Sequence, residues 1–344
     1  MEGKEALFGK THNELLEVVE KKGVPKYAAK QLSDWIYRKN ITSIDEMTNL
    51  SATSRKELGK EYSLGLAAYS DVRVSVDGTK KYLFPVKEDR FVETAYIPER
   101  KRFTLCVSTQ VGCRWGCSFC MTGRQGFHGN LSAGEILNQF HSVPEKEKIT
   151  NIVYMGMGEP LDNTGEVLKS LEILTSGWGY AMSPRRITVS TIGITGDVTE
   201  FLKKSNCHLA ISLHSPFEEE RRAIMPVEKV HPLKNVLDEI RGFDIENQRR
   251  ISVEYIVFRN MNHSNSHATK LAEILKGIRC RINLIPFNPI PGSPLGEPEE
   301  EPVEKFRDAL MKKGVFTTIR KSRGRDISAA CGLLSTMNLK GKGD

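Results

Sequence analysis

The chain has 344 residues, of which 39% are hydrophobic, and its formal net charge is +7. This composition excludes a disordered chain, and the length suggests two or three domains, or one barrel with an appendage. The first residues contain no apolar signal segment, and no stretch approaches the roughly 18 uninterrupted apolar residues of a membrane span. We therefore expect a cytoplasmic protein that does not associate with a membrane.

The N-terminal part of the chain has apolar residues at helical spacing. Segments 12–23, 25–40 and 51–62 each predict a helix, and Ser51 is placed to cap the third. We predict that residues 1–65 form a small helical domain.

The next part of the chain is rich in strand-forming residues. Asp77 and Gly78 form a typical hairpin turn between two such runs. The predicted strands cover residues 71–76, 80–86, 91–98 and 102–109. We predict a β extension over residues 66–102.

From residue 103 onward, predicted strands and helices alternate, which indicates a parallel sheet with right-handed crossovers. The predicted strands are 104–109, 151–157, 186–191, 208–214, 250–257 and 281–287. The predicted helices between them are 132–143, 165–176, 197–205, 233–243 and 267–277. Residues 291–302 predict a surface loop, 305–314 a helix, and 315–322 a last strand. We predict one α/β domain over residues 103–344, a partial or complete barrel.

Three cysteines follow the first predicted strand of this repeat. Cys113, Cys117 and Cys120 have the spacing C-x3-C-x2-C. Cysteines usually fill all four irons of a 4Fe–4S cluster, so three leave one iron open to bind S-adenosylmethionine (SAM). This spacing resembles the signature of the radical SAM superfamily. The alternative is a zinc site, which prefers four ligands, with His128 as a candidate fourth.

Glycine and polar residues follow the predicted strands at the ends where barrel active sites gather. SAM presents an amine, a carboxylate, ribose hydroxyls and adenine, which these residue types can contact. The candidates are Gly158, Glu159, Ser190, Ser212, Leu213, His214 and Asn288. Each of these residues alone has an ordinary structural explanation. The prediction of a SAM site therefore depends on their common location at the ends of the predicted strands.

Two further cysteines are candidates for chemistry. Cys331 follows a basic run, and a basic neighbourhood favours the reactive thiolate. Cys106 lies on or near the first predicted barrel strand, where simple packing would also explain it. Cys207 and Cys280 lie in apolar surroundings and are predicted to pack as small hydrophobic residues.

The long motifs, in their order, resemble one family of that superfamily, the bacterial dual-specificity RNA (adenine-carbon-2) methyltransferases. They are VETAYIPERKRFTLCVSTQVGCRWGCSFCMTGRQGF, MGMGEPL, RRITVSTIG, AISLHSP, INLIPFNP and RKSRGRDISAACGLL. The resemblance extends from about residue 10 to residue 335. It implies an α/β fold, a partial (β/α) barrel of the radical SAM type with a small N-terminal helical domain and a short β extension.

The resemblance also implies a role for each matching residue. The cysteine triad holds one 4Fe–4S cluster, and the seven strand-end residues contact SAM. Cys331 becomes S-methylated, Cys106 is the resolving thiol, and Glu93 is the proton acceptor. The implied substrates are one adenosine of 23S ribosomal RNA and the adenosine next to the anticodon in certain transfer RNAs.

Carbon 2 of adenine is electron-poor, so it cannot attack the methyl group of SAM directly. The chemistry that the resemblance implies uses a radical route instead. One SAM methylates Cys331, and a second yields a radical that removes a hydrogen atom from that methyl group. The methylene carbon adds to carbon 2, Glu93 removes the proton, and Cys106 releases the RNA by forming a disulfide with Cys331. The C-terminal segment must therefore fold back over the barrel mouth.

Basic residues near Cys106 and Cys331 predict contacts with RNA phosphates. These residues are Arg100, Lys101, Arg102, Arg320, Lys321, Arg323 and Arg325. We expect the N-terminal helical domain to bind RNA as well. We also expect a flavodoxin or ferredoxin as electron donor, and a monomer, because no coiled-coil heptads are visible.

Three alternative functions stay open at this point. A sister family methylates carbon 8 of the same ribosomal adenosine and has GEA where this chain has Gly158-Glu159-Pro160. A zinc-stabilised RNA-binding protein without catalysis is the second. The third is a radical SAM enzyme acting on a protein or small molecule, which the basic clusters argue against.

Overall fold

The computed structural model describes residues 3–39, 41–86, 90–244 and 251–336. Its helices are α1 (His12–Lys21), α2 (Ala28–Arg38), α3 (Ala52–Glu61), α4 (Met121–Gln125), α5 (Ala133–His141), α6 (Thr164–Thr175), α7 (Asp197–Lys204), α8 (Glu218–Ile224), α9 (Leu233–Arg241), α10 (Asn265–Ile274) and α11 (Glu300–Lys312). Its strands are β1 (Glu5–Ala6), β2 (Tyr62–Ser63), β3 (Asp71–Val74), β4 (Lys80–Val86), β5 (Arg90–Pro98), β6 (Phe103–Val107), β7 (Gln110–Gly112), β8 (Phe127–Asn130), β9 (Asn151–Tyr154), β10 (Ile187–Thr191), β11 (His208–Ser212), β12 (Ile251–Val257), β13 (Cys280–Pro286) and β14 (Thr317–Ile319). None of the helices in these ranges is long and apolar enough to cross a membrane.

One ten-stranded sheet organises the fold, in the order β14-β13-β12-β11-β10-β9-β6-β5-β4-β3. Neighbours from β6 to β14 run parallel, whereas β3, β4, β5 and β6 pair antiparallel. The two edge strands, β14 and β3, do not pair with each other. The sheet is therefore a partial barrel with a β extension, which confirms the predicted fold class.

The predicted barrel strands are all present, and β14 adds a seventh parallel strand. In β12 every residue is buried, as expected for a strand covered on both faces. Because parallel strands end at the same edge of the sheet, the loops after β6, β9, β10, β11, β12 and β13 converge there. Some predicted elements and domains extend over residues 1–2, 40, 87–89, 245–250 and 337–344. These parts of the predictions lie outside the described residues.

Sequence periodicity misplaced a few elements. The predicted loop 291–302 is wrong at its end, because α11 begins at Glu300. Acidic residues suit a first helical turn, and a proline is tolerated there. Helix α8 was not predicted, since its sequence EEERRAI has almost no apolar periodicity. The short hairpin of β7 and β8 was missed for a similar reason.

The N-terminal helices pack on the outside of the barrel. Ser51 caps α3 as predicted, and Thr11 forms a capping box with Glu14 at the start of α1. Lys169 of α6 forms an ion pair with Glu14 at 2.6 Å. Buried side chains of this helical part and of the barrel belong to one continuous cluster. The domain limits at residues 65 and 102 stay predictions.

The contact between Gly9 and the start of α5 yields a stability prediction. A Cβ on Gly9 would lie 2.4 Å from the backbone nitrogen of Gly134, whereas a Cβ on Gly23 would meet nothing within 4 Å. Both glycines have positive φ. Gly23→Ala should therefore cost only backbone strain, on the order of 1 kcal/mol. Gly9→Ala should cost at least about 2 kcal/mol, because strain and a backbone clash add.

Urea or thermal unfolding of the two variants, side by side, measures the difference. Equal losses of stability would contradict the close packing of the N-terminal helices on α5.

Candidate active site

A cavity opens where the parallel strands end, and we call it the main cavity. Its lining includes nine of the predicted site residues, namely Cys113, Cys117, Cys120, Gly158, Glu159, Ser190, Ser212, His214 and Cys331. The structure thus brings together residues separated by more than 200 positions in the chain. Leu213, Asn288, Cys106 and Glu93 lie outside this lining.

The cysteine triad lies on a short loop between β7 and α4. The backbone N–H of Cys113 donates to Gly126 at 3.0 Å, and that of Cys120 donates to Cys117 at 3.1 Å. Burial raises the pKa of Cys113 to about 12, and burial raises the pKa of Cys117 and Cys120 as well. The neighbouring thiols add to this effect by mutual repulsion. A buried set of thiols that resists ionisation becomes a ligand set when a metal centre stabilises the thiolates.

The arrangement of these thiols fits a cluster better than a single ion. Within the described ranges, no three His, Cys, Asp or Glu side chains converge closely enough to hold one metal ion. A zinc site requires such convergence, at bond lengths near 2.3 Å to each sulfur. An iron–sulfur cluster instead takes its thiolates on different irons, so it requires thiols spread around one cavity. The three thiols line one cavity, so the donor set fits the 4Fe–4S cluster that the resemblance implies, and His128 is not part of that lining.

Gly158 and Glu159 form the floor of the main cavity after β9. Gly158 has φ +97°, and a Cβ there would lie 2.5 Å from the Cβ of Gln110. The Glu159 carboxylate accepts hydrogen bonds from the backbone N–H groups of Leu161 and Ile192, both at 2.9 Å. Burial nevertheless raises the pKa of Glu159 to about 7. A ligand ammonium group in the main cavity would favour the carboxylate form.

The residues after β11 have a tightly held backbone. His214 has φ +60°, and its Nδ1 accepts a hydrogen bond from the backbone N–H of Ile256 at 3.0 Å. Burial lowers the pKa of His214 to about 3. Leu213 is fully buried and does not line the main cavity. Ser212 is half-buried and faces the main cavity.

Asn288, in the loop after β13, touches the segment that carries Cys331. Its Nδ2 donates to the carbonyl oxygen of Cys331 at 3.3 Å. Its Oδ1 is buried and has no hydrogen-bond partner among the described residues. A buried acceptor of this kind normally has a partner, although Asn288 lines neither the main cavity nor the cavity that Cys331 shares with Cys106.

Cys331 reaches the barrel mouth because the C-terminal segment folds back, as the sequence required. The N–H of Met121 donates to Gly332 at 2.8 Å, and the Thr122 hydroxyl donates to Leu334 at 2.7 Å. Cys331 also lines a second cavity, the thiol cavity, together with Cys106, Cys120 and other residues. Burial, and then the proximity of Cys331, raise the pKa of Cys106 to about 12. Both thiols are free in the structure.

Glu93 lies in a separate cleft beyond the C-terminal segment. Lys81 forms an ion pair with it at 2.8 Å, and the N–H of Ser335 donates to it at 2.9 Å. Burial raises the pKa of this carboxyl group despite both partners. This cleft includes Leu333 and Ser335 but not Cys331. The structure therefore places Glu93 beside the C-terminal segment that carries Cys331, on the side of Leu333 and Ser335.

Two residues of the site were not identified as such from the sequence. Arg320, predicted as a surface phosphate contact, lines both the main cavity and the thiol cavity. Glu254, inside β12, lines the main cavity, and its Oε2 lies 3.5 Å from Nη1 of Arg320. The sequence signal that could have identified Glu254 is a glutamate within a mostly apolar predicted strand. Of the other basic residues, Arg325 forms an ion pair with Glu297.

Comparison with known proteins gives matches over nearly the whole chain. The radical SAM superfamily profile matches residues 107–272, and the profile of the ribosomal RNA large subunit methyltransferase N-terminal domain matches 6–64. A probable dual-specificity RNA methyltransferase RlmN of Porphyromonas gingivalis is 56% identical, over 97% of this chain and 95% of its own. The RlmN protein of Campylobacter hominis is 41% identical, over 93% and 95%.

A solved structure gives the same result for the fold. The crystal structure of a radical SAM methyltransferase from Sphaerobacter thermophilus has a TM-score of 0.89 and 38% identity to this chain. The match covers 96% of this chain and 98% of the other. The predicted fold and superfamily are confirmed, while the role of each site residue stays a prediction.

The environment of His214 leads to a prediction about its charge. Because burial opposes the imidazolium form and Nδ1 already accepts an N–H, the ring should stay neutral, with its proton on Nε2, from pH 8 to 5. Nuclear magnetic resonance of histidine-labelled protein tests this. His141, whose pKa burial lowers to about 4, is an internal comparison. A His214 signal that titrates near pH 6.5 would refute the assignment.

Proposed function

Since the chain belongs to the dual-specificity RNA methyltransferase RlmN family, we propose that it methylates carbon 2 of adenosine in RNA, with SAM as the methyl donor. The proposed targets are one adenosine of 23S ribosomal RNA and the adenosine next to the anticodon in certain transfer RNAs. The observation that carries this proposal is the position of Cys331. It lines a cavity with the cysteine triad and a second cavity with Cys106.

The cysteine triad is the proposed ligand set of the 4Fe–4S cluster. When bound, this cluster supplies the electron that cleaves SAM and so generates the radical that starts the reaction. Glu159 is the proposed acceptor for the SAM amino group, because its buried carboxylate needs a cation nearby. Its neighbour Gly158 lets the backbone approach the ligand. Ser190, Ser212, Leu213, His214 and Asn288 are the other proposed SAM contacts.

Cys331 is the proposed methyl carrier. Its thiolate accepts a methyl group from one SAM, and that group then loses one hydrogen atom and bonds to carbon 2 of adenine. Loss of the carbon-2 proton and of one electron, which the bound cluster would accept, restores the aromatic ring. The Cys106 thiolate then attacks the Cys331 sulfur, and a disulfide forms. The sulfur–carbon bond breaks, and the carbon keeps the electron pair of that bond and takes a proton from solvent, which completes the methyl group.

Glu93 is the proposed acceptor of the carbon-2 proton. The raised pKa that burial gives this carboxyl group makes it a better base than an exposed glutamate. Lys81 beside it balances the charge of the carboxylate before proton transfer. The N–H of Ser335 donates to one carboxylate oxygen and Lys81 pairs with the other, which leaves further lone pairs of the carboxylate to accept the proton.

The partners of this reaction follow from its substrates. Exposed Arg100 and Lys101 are proposed phosphate contacts, and residues 1–65 a proposed RNA-binding domain. Because ribosomal and transfer RNA are the proposed substrates, the cytoplasm is the proposed location of the reaction. Two further proposals are a flavodoxin or ferredoxin as electron donor, and a monomeric enzyme, the latter because the sequence has no coiled-coil heptads.

The function is tested by nucleoside mass spectrometry after anaerobic reaction with ribosomal RNA, a reductant and SAM bearing a trideuterated methyl group. We expect 2-methyladenosine with two deuteriums and one hydrogen, because one deuterium atom leaves the methyl on Cys331 and the released carbon takes a proton from solvent. Three retained deuteriums would rule out the methylene route. An 8-methyl product would place the activity with the carbon-8 enzymes.

The resolving role of Cys106 is tested by Cys106→Ala. This variant should stop within a single turnover and accumulate enzyme joined covalently to RNA, visible on a denaturing gel, because no thiol attacks Cys331. Cys207→Ala is the matched control, since Cys207 is also a buried cysteine and lines neither cavity. Normal product release by Cys106→Ala would remove Cys106 from the mechanism.

A further inference from the structure

Arg221, in α8, is a buried cation behind the main cavity, and its side chain is only 1% exposed. Its guanidinium donates to three backbone carbonyls. Nε donates to Leu213 at 3.1 Å, and Nη2 donates to Ile192 at 2.7 Å and to Ser212 at 3.3 Å. These carbonyls lie at or just after the ends of β10 and β11, so one side chain connects two loops of the cavity.

Glu228 compensates the charge of this arginine. Its carboxylate is 3% exposed and forms an ion pair with Arg221 Nη1. The same carboxylate accepts the N–H of Leu233 at the start of α9. A buried guanidinium is stable in a fold only when it is paired and hydrogen-bonded in this way. Neither residue of the pair lines the main cavity, so the pair acts on that cavity only through the loops that Arg221 contacts.

The contacts of Arg221 continue on both sides into the proposed SAM site. The N–H of Ile192 donates to the Glu159 carboxylate at 2.9 Å, while the carbonyl of Ile192 accepts from Arg221. Helix α8 also supports the cysteine loop, because the N–H of Ser118 donates to Ile224 at 3.0 Å. Arg221 thus stands between the loop of the triad, the Glu159 carboxylate and the end of β11.

From these contacts we propose that Arg221 is a positioning residue for SAM, which fixes the loops after β10 and β11 relative to Glu159 and to the cysteine loop. This inference deepens the proposed function and rests on it for the identity of the ligand. The planar fork of arginine is required, because three carbonyls in different directions need several fixed donors. Lysine would keep the charge but could not satisfy the same set.

The test measures SAM binding without RNA, using the full chain with its cluster reconstituted. We expect Arg221→Lys to raise the Kd of SAM at least tenfold in equilibrium dialysis, with the iron content per chain retained. The electron paramagnetic resonance change that SAM causes in the reduced cluster should then need a correspondingly higher SAM concentration. Because no RNA is present, a failure of the methylation proposal would leave this result unaffected.

The matched control is Arg222→Gln, the next residue of the same helix. Arg222 is 42% exposed and pairs with Glu218 on the surface, so its loss should leave the Kd of SAM within twofold of the parent. A Kd within twofold for a folded, iron-loaded Arg221→Lys would overturn the proposal.

Glu228→Gln separates positioning from stability, and it keeps the proposal testable if Arg221→Lys does not fold. This variant leaves the three donations to carbonyls in place but removes the compensating charge. Its melting temperature should fall while the Kd of SAM stays within twofold. A tenfold weaker SAM affinity in Glu228→Gln would show that binding follows the general stability of α8, and would overturn the role of the carbonyl contacts.

Discussion

The site depends on the docking of the C-terminal segment onto the helix that follows the cysteine triad. Five hydrogen bonds hold this segment against α4, one from Met121 to Gly332, one from Thr122 to Leu334, and three between Gln125 and residues 335–336. They bring Cys331 to the mouth of a barrel whose first strand carries Cys106. The proposed reaction passes a methyl group from the Cys331 thiol to RNA and then links this thiol to Cys106. It therefore requires the C-terminal segment to be docked on α4. This docking also explains why Asn288 is turned toward the backbone of Cys331.

Burial sets the electrostatic character of the centre. The thiols of the triad, Cys106 and the carboxyl groups of Glu93 and Glu159 all have raised pKa values, with desolvation as the leading cause. Such groups ionise when a positive partner arrives. For the triad the proposed partner is iron, and for Glu159 the proposed partner is the ammonium group of SAM. The site is therefore built to become fully charged only when it is loaded, which limits the reactivity of its thiols in the empty protein.

The alternatives that the sequence left open differ in how well this centre supports them. A zinc-stabilised RNA-binding protein would need ligands that converge on one ion, and the triad does not offer such convergence. It would also give no reason for two free thiols, Cys106 and Cys331, to line one cavity. A radical SAM enzyme for a protein or small molecule disagrees with relatives named as RNA methyltransferases over nearly the full chain. The fold does not distinguish carbon 8 from carbon 2 as the target. Identification of the methylated nucleoside does.

Much of this protein was readable from sequence, because its chemistry resides in local spacing. The triad, the strand-end residues and the alternation of strands and helices are short-range patterns, and each corresponds to a feature of the structure. Tertiary structure alone decided which distant residues meet. Arg320 belongs to a basic run in sequence, yet its position after β14 turns it into the cavities. Arg221 looks like one charge among five on a polar helix. Only the packing of α8 against two loop ends makes it a buried donor, because burial and hydrogen-bond partners are properties of the folded chain and not of the residue.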